Sequence, residues 1–147
     1  MISNAIIAPI QLNALKVIDV HLKLTGEEAD NMKLNLGIEY KTSELDGNES
    51  DGVYALRASL ALAASLADPE NESDIRLDSG ASILIEVSID ASYFKAPEEA
   101  RDYLAKNALS MAYAHARSVL MTIAGMTPAG DFILPPIIPS AIKLQEQ

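Results

Sequence analysis

At 147 residues the chain has the length of one domain, enough to bury roughly 70% of its unfolded surface. Its 21 acidic against 11 basic residues give a formal charge of −10, which disfavours nucleic acid, favours solubility and suits a basic partner. No cysteine is present, which excludes disulfides and thiolate metal sites and suits a cytoplasmic location.

The opening MISNAIIAPIQLNALK has no basic run before its apolar residues and is interrupted by Pro9, so it reads as neither a signal peptide nor a membrane span. From Leu15 to Leu24 the chain alternates with period two. Ile18, Val20, Leu22 and Leu24 share one parity, and Asp19, His21 and Lys23 share the other. After a polar connection, Thr25 to Asn31, Met32–Tyr40 alternates without a miss. Thr42 to Gly52 is dense in turn formers and acids and reads as a solvated loop. Val53–Leu66 is rich in Ala and Leu, which favour helix. Its parity, with Tyr54, Leu56, Leu60, Leu62 and Leu66 opposite Arg57, Ser59, Ala61 and Ser65, favours strand, and strand is taken. Ala67 to Asp74 reads as an acidic turn. Ala81–Phe94 alternates again, with Ile83, Ile85, Val87, Ile89 and Tyr93 facing in.

Pro97 to Gly125 reads as one long helix. Pro97 suits the first helical position, Glu98 and Glu99 sit at the positive end of the dipole, and Gly125 can end it. It carries two apolar stripes. Tyr103, Leu104, Ala108, Met111, His115, Val119 and Thr122 form one; Leu109, Tyr113, Ala116, Leu120 and Ala124 form the other. A helix apolar on two sides needs two covers, here expected to be its own sheet and a second copy of the chain. Met126 to Pro139 holds four prolines and should run extended over an apolar surface, with a helical turn or two in the last residues. The expected fold is therefore α+β, a single domain over 1–147. A four-stranded antiparallel sheet has one apolar face covered by the long helix. Its other face carries Asp19, Lys33, Glu39, Arg57, Glu86 and Asp90.

Catalytic chemistry is hard to find. His21 and His115 have no ligand or carboxylate at a metal-site spacing, no serine sits in an elbow motif, and no Gly-rich phosphate loop precedes a helix. The acid pairs lie in loops or at the helix start, where they solvate turns or meet the dipole. The expectation is a non-enzyme without cofactor or metal.

The order of elements resembles the SecB protein-export chaperone family. The likeness is sharpest over AYAHARSVLMTIAGMTPAGDFILPP, Ala112 to Pro136, where Tyr113, Ala116, Arg117, Leu134 and Pro136 fall on the family's pattern. Ala114 stands for its proline and His115 for its second aromatic. LIEVSIDASYF, Leu84 to Phe94, is similar to its Leu-x-Glu-Val run. The resemblance implies a homotetramer, a dimer of dimers, with Leu109, Tyr113, Ala116 and Leu120 at the contact between copies. It also implies ATP-independent holding of unfolded polypeptides in apolar grooves lined by Tyr40, Tyr113, Phe132 and Ile133. It further implies docking of the SecA motor at Asp19, Leu84 and Glu86, although Lys23 reverses one charge of that patch and the family's acidic tail is not matched. Relatives of this fold serve as antitoxin chaperones, which gives a second partner. A small apolar-ligand carrier with a closed cavity and a structural oligomer are the readings from other classes.

Overall fold

A computed structural model describes residues 9–25, 32–47, 52–127 and 134. Four strands, β1 (Gln11–Leu24), β2 (Lys33–Thr42), β3 (Val53–Asp68) and β4 (Asn71–Asp90), precede one helix, α1 (Pro97–Gly125). All pairings are antiparallel, and the strand order is β1-β4-β3-β2. Consecutive strands β2, β3 and β4 therefore form a meander, and β1 returns to lie beside β4, the arrangement of a Greek key. The two strands that are neighbours at the start of the sequence become the sheet's two edges.

The alternation on β3 places Tyr54, Leu56, Ala58, Leu60, Leu62 and Ala64 on one face, all buried. Their ladder partners on β4 follow suit: Leu56 faces Val87, Leu60 faces Ile83 and Leu62 faces Ala81. The Ala-Leu composition thus gives way to the parity, because packing on a half-buried surface decides the state of such a segment. The expected acidic turn at Ala67 to Asp74 is far tighter than that. β3 runs on to Asp68, Pro69 and Glu70 make the turn, and β4 resumes at Asn71. Asp68 takes the Glu70 N–H on its side chain at 2.9 Å, so an acid serves here as a turn residue. At the other end β4 stops at Asp90, not at Phe94. The Asp90 carboxylate accepts from the Ser92 N–H at 2.9 Å and caps a 3-10 turn, Ala91–Tyr93.

α1 begins and ends where the sequence placed it. Its sheet-facing side holds Ala100, Leu104, Ala105, Ala108, Leu109, Ala112, Tyr113, Ala116, Leu120 and Ala124, all buried. Small alanines opposite the large Leu and Ile side chains of β3 and β4 let the helix sit close and interdigitate. Each of Leu104, Leu109 and Leu120 contributes roughly 1.5–3 kcal/mol by burial. The expected extended segment and terminal turns lie outside the described residues, except Leu134, which is fully buried in the same core.

Candidate functional site

α1 lies over β3 and β4 and touches β1 only at the margin. A helix with side chains is about 10 Å across. Four strands at about 4.8 Å spacing are wider than that. The apolar residues that the outer strands turn towards the helix side are consequently left uncovered on two flanks. On β1, Leu12, Val17, Val20 and Leu24 are 37–49% exposed. On β2, Leu36 and Ile38 are 38% and 40% exposed. Their ladder partners identify the face: Val17 lies beside Ile83, Val20 beside Ala81, Leu36 beside Ala64 and Ile38 beside Leu62.

β1 departs from simple alternation. Its register against β4 shifts between Leu12 and Ala14, and again between Val17 and Asp19. The second irregularity moves Ile18 off the parity expected with Val20 and Leu22. It is 61% exposed and shares a shallow pocket with Glu39, Lys41, Ser59 and Ser82, residues of the open face. A bulge inserts one extra residue and re-aims its neighbours, which no periodicity in one strand can reveal. β2 keeps an unbroken register from Lys33 to Thr42.

Of the groove candidates, Tyr40 is half-buried against the core, on the β2 flank beside Ile38. Tyr113 is 2% exposed, so it belongs to the core and not to an open groove wall. Burial raises its phenol above the ordinary tyrosine value, against the opposing pull of the Arg117 charge. Phe132 and Ile133 lie outside the described residues. Leu109, Tyr113, Ala116 and Leu120, expected at a contact between copies, are 0–2% exposed within the single chain. They belong to the buried side of α1, which also takes Leu104 and Ala108 of the other stripe, and within the single chain they leave almost no surface for another copy. Two apolar stripes on one helix carry no label for which faces inward. The remaining side of α1, with Met111, His115 and Val119, is half-buried.

The docking candidates come together on the open face. Asp19 lies beside Ser82, Lys16 beside Leu84 and Ala14 beside Glu86, so Asp19, Leu84 and Glu86 follow one another along the β1–β4 pair. Glu86 is already engaged, at 3.2 Å from the Arg57 guanidinium. Lys16 and Lys23 on the same strand dilute the acidity of the patch. Deeper in this face the row Asp19, Ser82, Ala61, Glu39 crosses all four strands beside the row His21, Gly80, Ala63, Gly37. Together they line a trough of about 270 Å³. The His21 ring lies over Gly80, where a Cβ would stand 2.5 Å from its Cε1. At one end, Arg57, Glu86, Asn13 and the segment Ser43, Glu44, Leu45 and Asp46 border a larger hollow of about 650 Å³. Among the described residues no group of three or more His, Asp or Glu is placed to hold a metal ion. No described helix is long and apolar enough to cross a membrane.

Two of the residues that carried the family likeness, Arg117 and Leu134, are joined in the structure. Arg117 donates from Nε to the Leu134 carbonyl oxygen at 2.6 Å, and Leu134 is buried in the same core cluster that holds Tyr113 and Ala116.

No family model matches the chain and no curated protein sequence matches it. Solved structures do. The fold is similar to that of the Mycobacterium tuberculosis Rv1957 SecB-like chaperone, solved in complex with a ChAD peptide from the Rv1956 HigA1 antitoxin. The TM-score is 0.59 at 12% identity, over 88% of this chain and 91% of that one. It is also similar to a Streptococcus agalactiae protein of unknown function, with a TM-score of 0.54 at 14% identity, over 87% and 98% of the two chains. The architecture is thus SecB-like α+β, at 12–14% sequence identity to these neighbours.

Proposed function

We propose that the chain is an ATP-independent holdase, a cytoplasmic, non-catalytic chaperone without cofactor that keeps unfolded polypeptides from aggregating. The observation that carries this reading is the pair of apolar flanks beside α1. They offer two strips of apolar side chain on a rigid sheet, where an extended segment can lay alternate side chains and pair its backbone with a strand edge. The charge of −10 keeps particles that display such strips apart. Homo-oligomers, with the tetramer of the SecB family as the expected form, are part of the proposal. The test is aggregation of an unfolding model protein at a one-to-one ratio: the proposal expects a marked delay, and an unchanged time course rejects it.

Two partner readings follow. The fold neighbour solved with an antitoxin peptide favours service to an antitoxin. Delivery to SecA for preprotein export rests on Asp19, Leu84 and Glu86, and the ion pair on Glu86 and the lysines of β1 weaken it. Titrating an antitoxin extension peptide and the basic SecA tail peptide separates them. Tail binding that is equal in wild type and Glu86→Lys rejects the open-face patch.

A further inference from the structure

We propose that the Asp46–Gly47 peptide is a site of spontaneous covalent modification, where ring closure to a succinimide and hydrolysis to isoaspartate unfasten the strap that follows β2. The inference is independent of the holdase reading.

The strap is Ser43 to Asp46, and it is tied to β3 at both ends. The Ser43 N–H donates to the Arg57 carbonyl at 2.8 Å, and the Ser43 hydroxyl accepts from the Arg57 N–H at 3.0 Å. Asp46 and Ala55 exchange both backbone bonds, at 2.8 and 2.9 Å. Between the ties Leu45 packs half-buried against the core, and the strap walls the hollow beside Arg57 and Glu86.

Three observations single out the peptide at the end of the strap. Asp46 and Gly47 are both exposed, so water reaches them. Among the described residues neither the Asp46 carboxyl nor the Gly47 N–H makes a hydrogen bond or ion pair, so neither is tied to the sheet. Gly47 stands at φ +89°, in the left-handed region, and a Cβ there would run into the Val53 carbonyl oxygen. The fold therefore requires glycine at the one position where a side chain would shield the amide nitrogen from its neighbour's carboxyl.

Local opening of the Asp46–Ala55 bridge, at an exposed end of the sheet, lets the two groups meet. The Gly47 nitrogen attacks Cγ of Asp46. An N–Cγ bond forms and a Cγ–O bond breaks, and the amide proton leaves with the carboxyl hydroxyl as water. Water then opens the ring at either carbonyl. Attack at Cγ restores aspartate, while attack at the α carbonyl leaves the main chain running through Cβ and Cγ. The mass is unchanged, the chain is one carbon longer, and the former carbonyl is a free carboxylate. That carbonyl is the acceptor of the Ala55 N–H, so the change falls on the tie itself.

The test is ageing of the folded chain for weeks at neutral pH and body temperature, beside the same chain in urea and beside Asp46→Glu. Glutamate keeps the charge and the backbone bonds, but its ring would be one atom larger and closes far more slowly. Fragmentation mass spectrometry locates isoaspartate by residue. It separates Asp46 from Asp51 of the second Asp-Gly pair, which lies outside the described residues. Isoaspartate is expected to accumulate at residue 46 of folded wild type and to be absent there in Asp46→Glu. Hydrogen exchange at the Ala55 N–H is expected to quicken several-fold in the aged fraction. Isoaspartate that forms in urea but not at residue 46 of the folded chain, or that appears at Asp51 alone, overturns the inference. So does an aged fraction whose Ala55 N–H exchanges no faster than in fresh protein. Both readouts are made on wild type, so they decide the matter even if Asp46→Glu folds poorly.

Discussion

Arg117 and Leu134 are 17 residues apart, and the guanidinium Nε of the first donates to the carbonyl of the second at 2.6 Å. Leu134 is thus fastened to α1 about two turns before the helix ends. The bond carries one formal charge and is partly shielded, the setting in which a hydrogen bond contributes about 1.5–3 kcal/mol. Arg117→Met, which keeps the apolar stem, is expected to lower unfolding free energy by about that amount. Leu134→Ala, at a fully buried site, is expected to cost about 2–5 kcal/mol. Urea unfolding of both variants measures this. An Arg117→Met variant as stable as wild type refutes the fastening role.

Tyr113 sets an alkaline limit. Its phenol titrates above the ordinary value because burial disfavours the phenolate. A raised value in the folded state gives stability that is complete below the unfolded value, near 10, and is lost as pH rises through the folded one. The melting temperature should therefore fall above about pH 10. The fall should be shallower in Tyr113→Phe when the two are scanned side by side at pH 8 to 11.

At the exposed cap of the 3-10 turn, Asp90 has the opposite sign. The Ser92 backbone N–H holds its carboxyl below the usual range, followed by the Ser92 side chain, so its contribution is present at neutral pH and fades as acid protonates it. Asp90→Asn is expected to lower stability slightly at pH 7, and the difference from wild type is expected to shrink as the pH is taken down through the acid range. Paired thermal melts across that range decide it.

His21 and Gly80 should be energetically coupled. Gly inside a strand normally costs about 0.5–1 kcal/mol relative to Ala. The seat of the His21 ring removes that advantage here, since a new Cβ meets Cε1 at 2.5 Å and the ring must swing away. Gly80→Ala is expected to be neutral or mildly destabilising alone, and stabilising by about 0.5–1 kcal/mol in a His21→Ala background. Additive effects in the double-mutant cycle would show that the two do not interact.

Arg57 and Glu86 lie 3.2 Å apart with side chains 68% and 40% exposed, so solvent screens the pair. Glu86→Gln should change stability by less than about 1 kcal/mol. A larger loss in chemical denaturation would mean that this pair fastens β3 to β4 rather than merely decorating them.

The start of the helix was legible to the residue because its punctuation is local: a proline and two acids act within one turn of where they stand, whereas Gly125 stays helical with no positive φ and Met126 is the cap. The face of β3 was legible because parity survives unhelpful composition. What the sequence hid depends on pairing across the fold. The bulge that turns Ile18 over exists only relative to β4. The choice of Leu109, Tyr113, Ala116 and Leu120 as the inward stripe is made by the sheet, not by the helix. The acids from Ala67 to Asp74 looked like a loop, yet a strand tolerates them because the tip of the β3–β4 hairpin stands in water. Of the site, the apolar residues of β1 and β2 were visible as strand faces. Their exposure was not, since it follows from the width of one helix against four strands.

The placement of β1 beside β4 has a kinetic side. β1 is the first of the described strands to be synthesised, yet the edge it needs is complete only at Asp90. At a synthesis rate of about 5–20 residues per second, an apolar strand waits roughly 3–15 s with no ladder to join. The β3–β4 hairpin, closed by a two-residue turn, can form at once by comparison. The earliest of the described strands is therefore the last of them to find its neighbour, and until β4 is made Leu12, Val17 and Val20 stand beside no ladder.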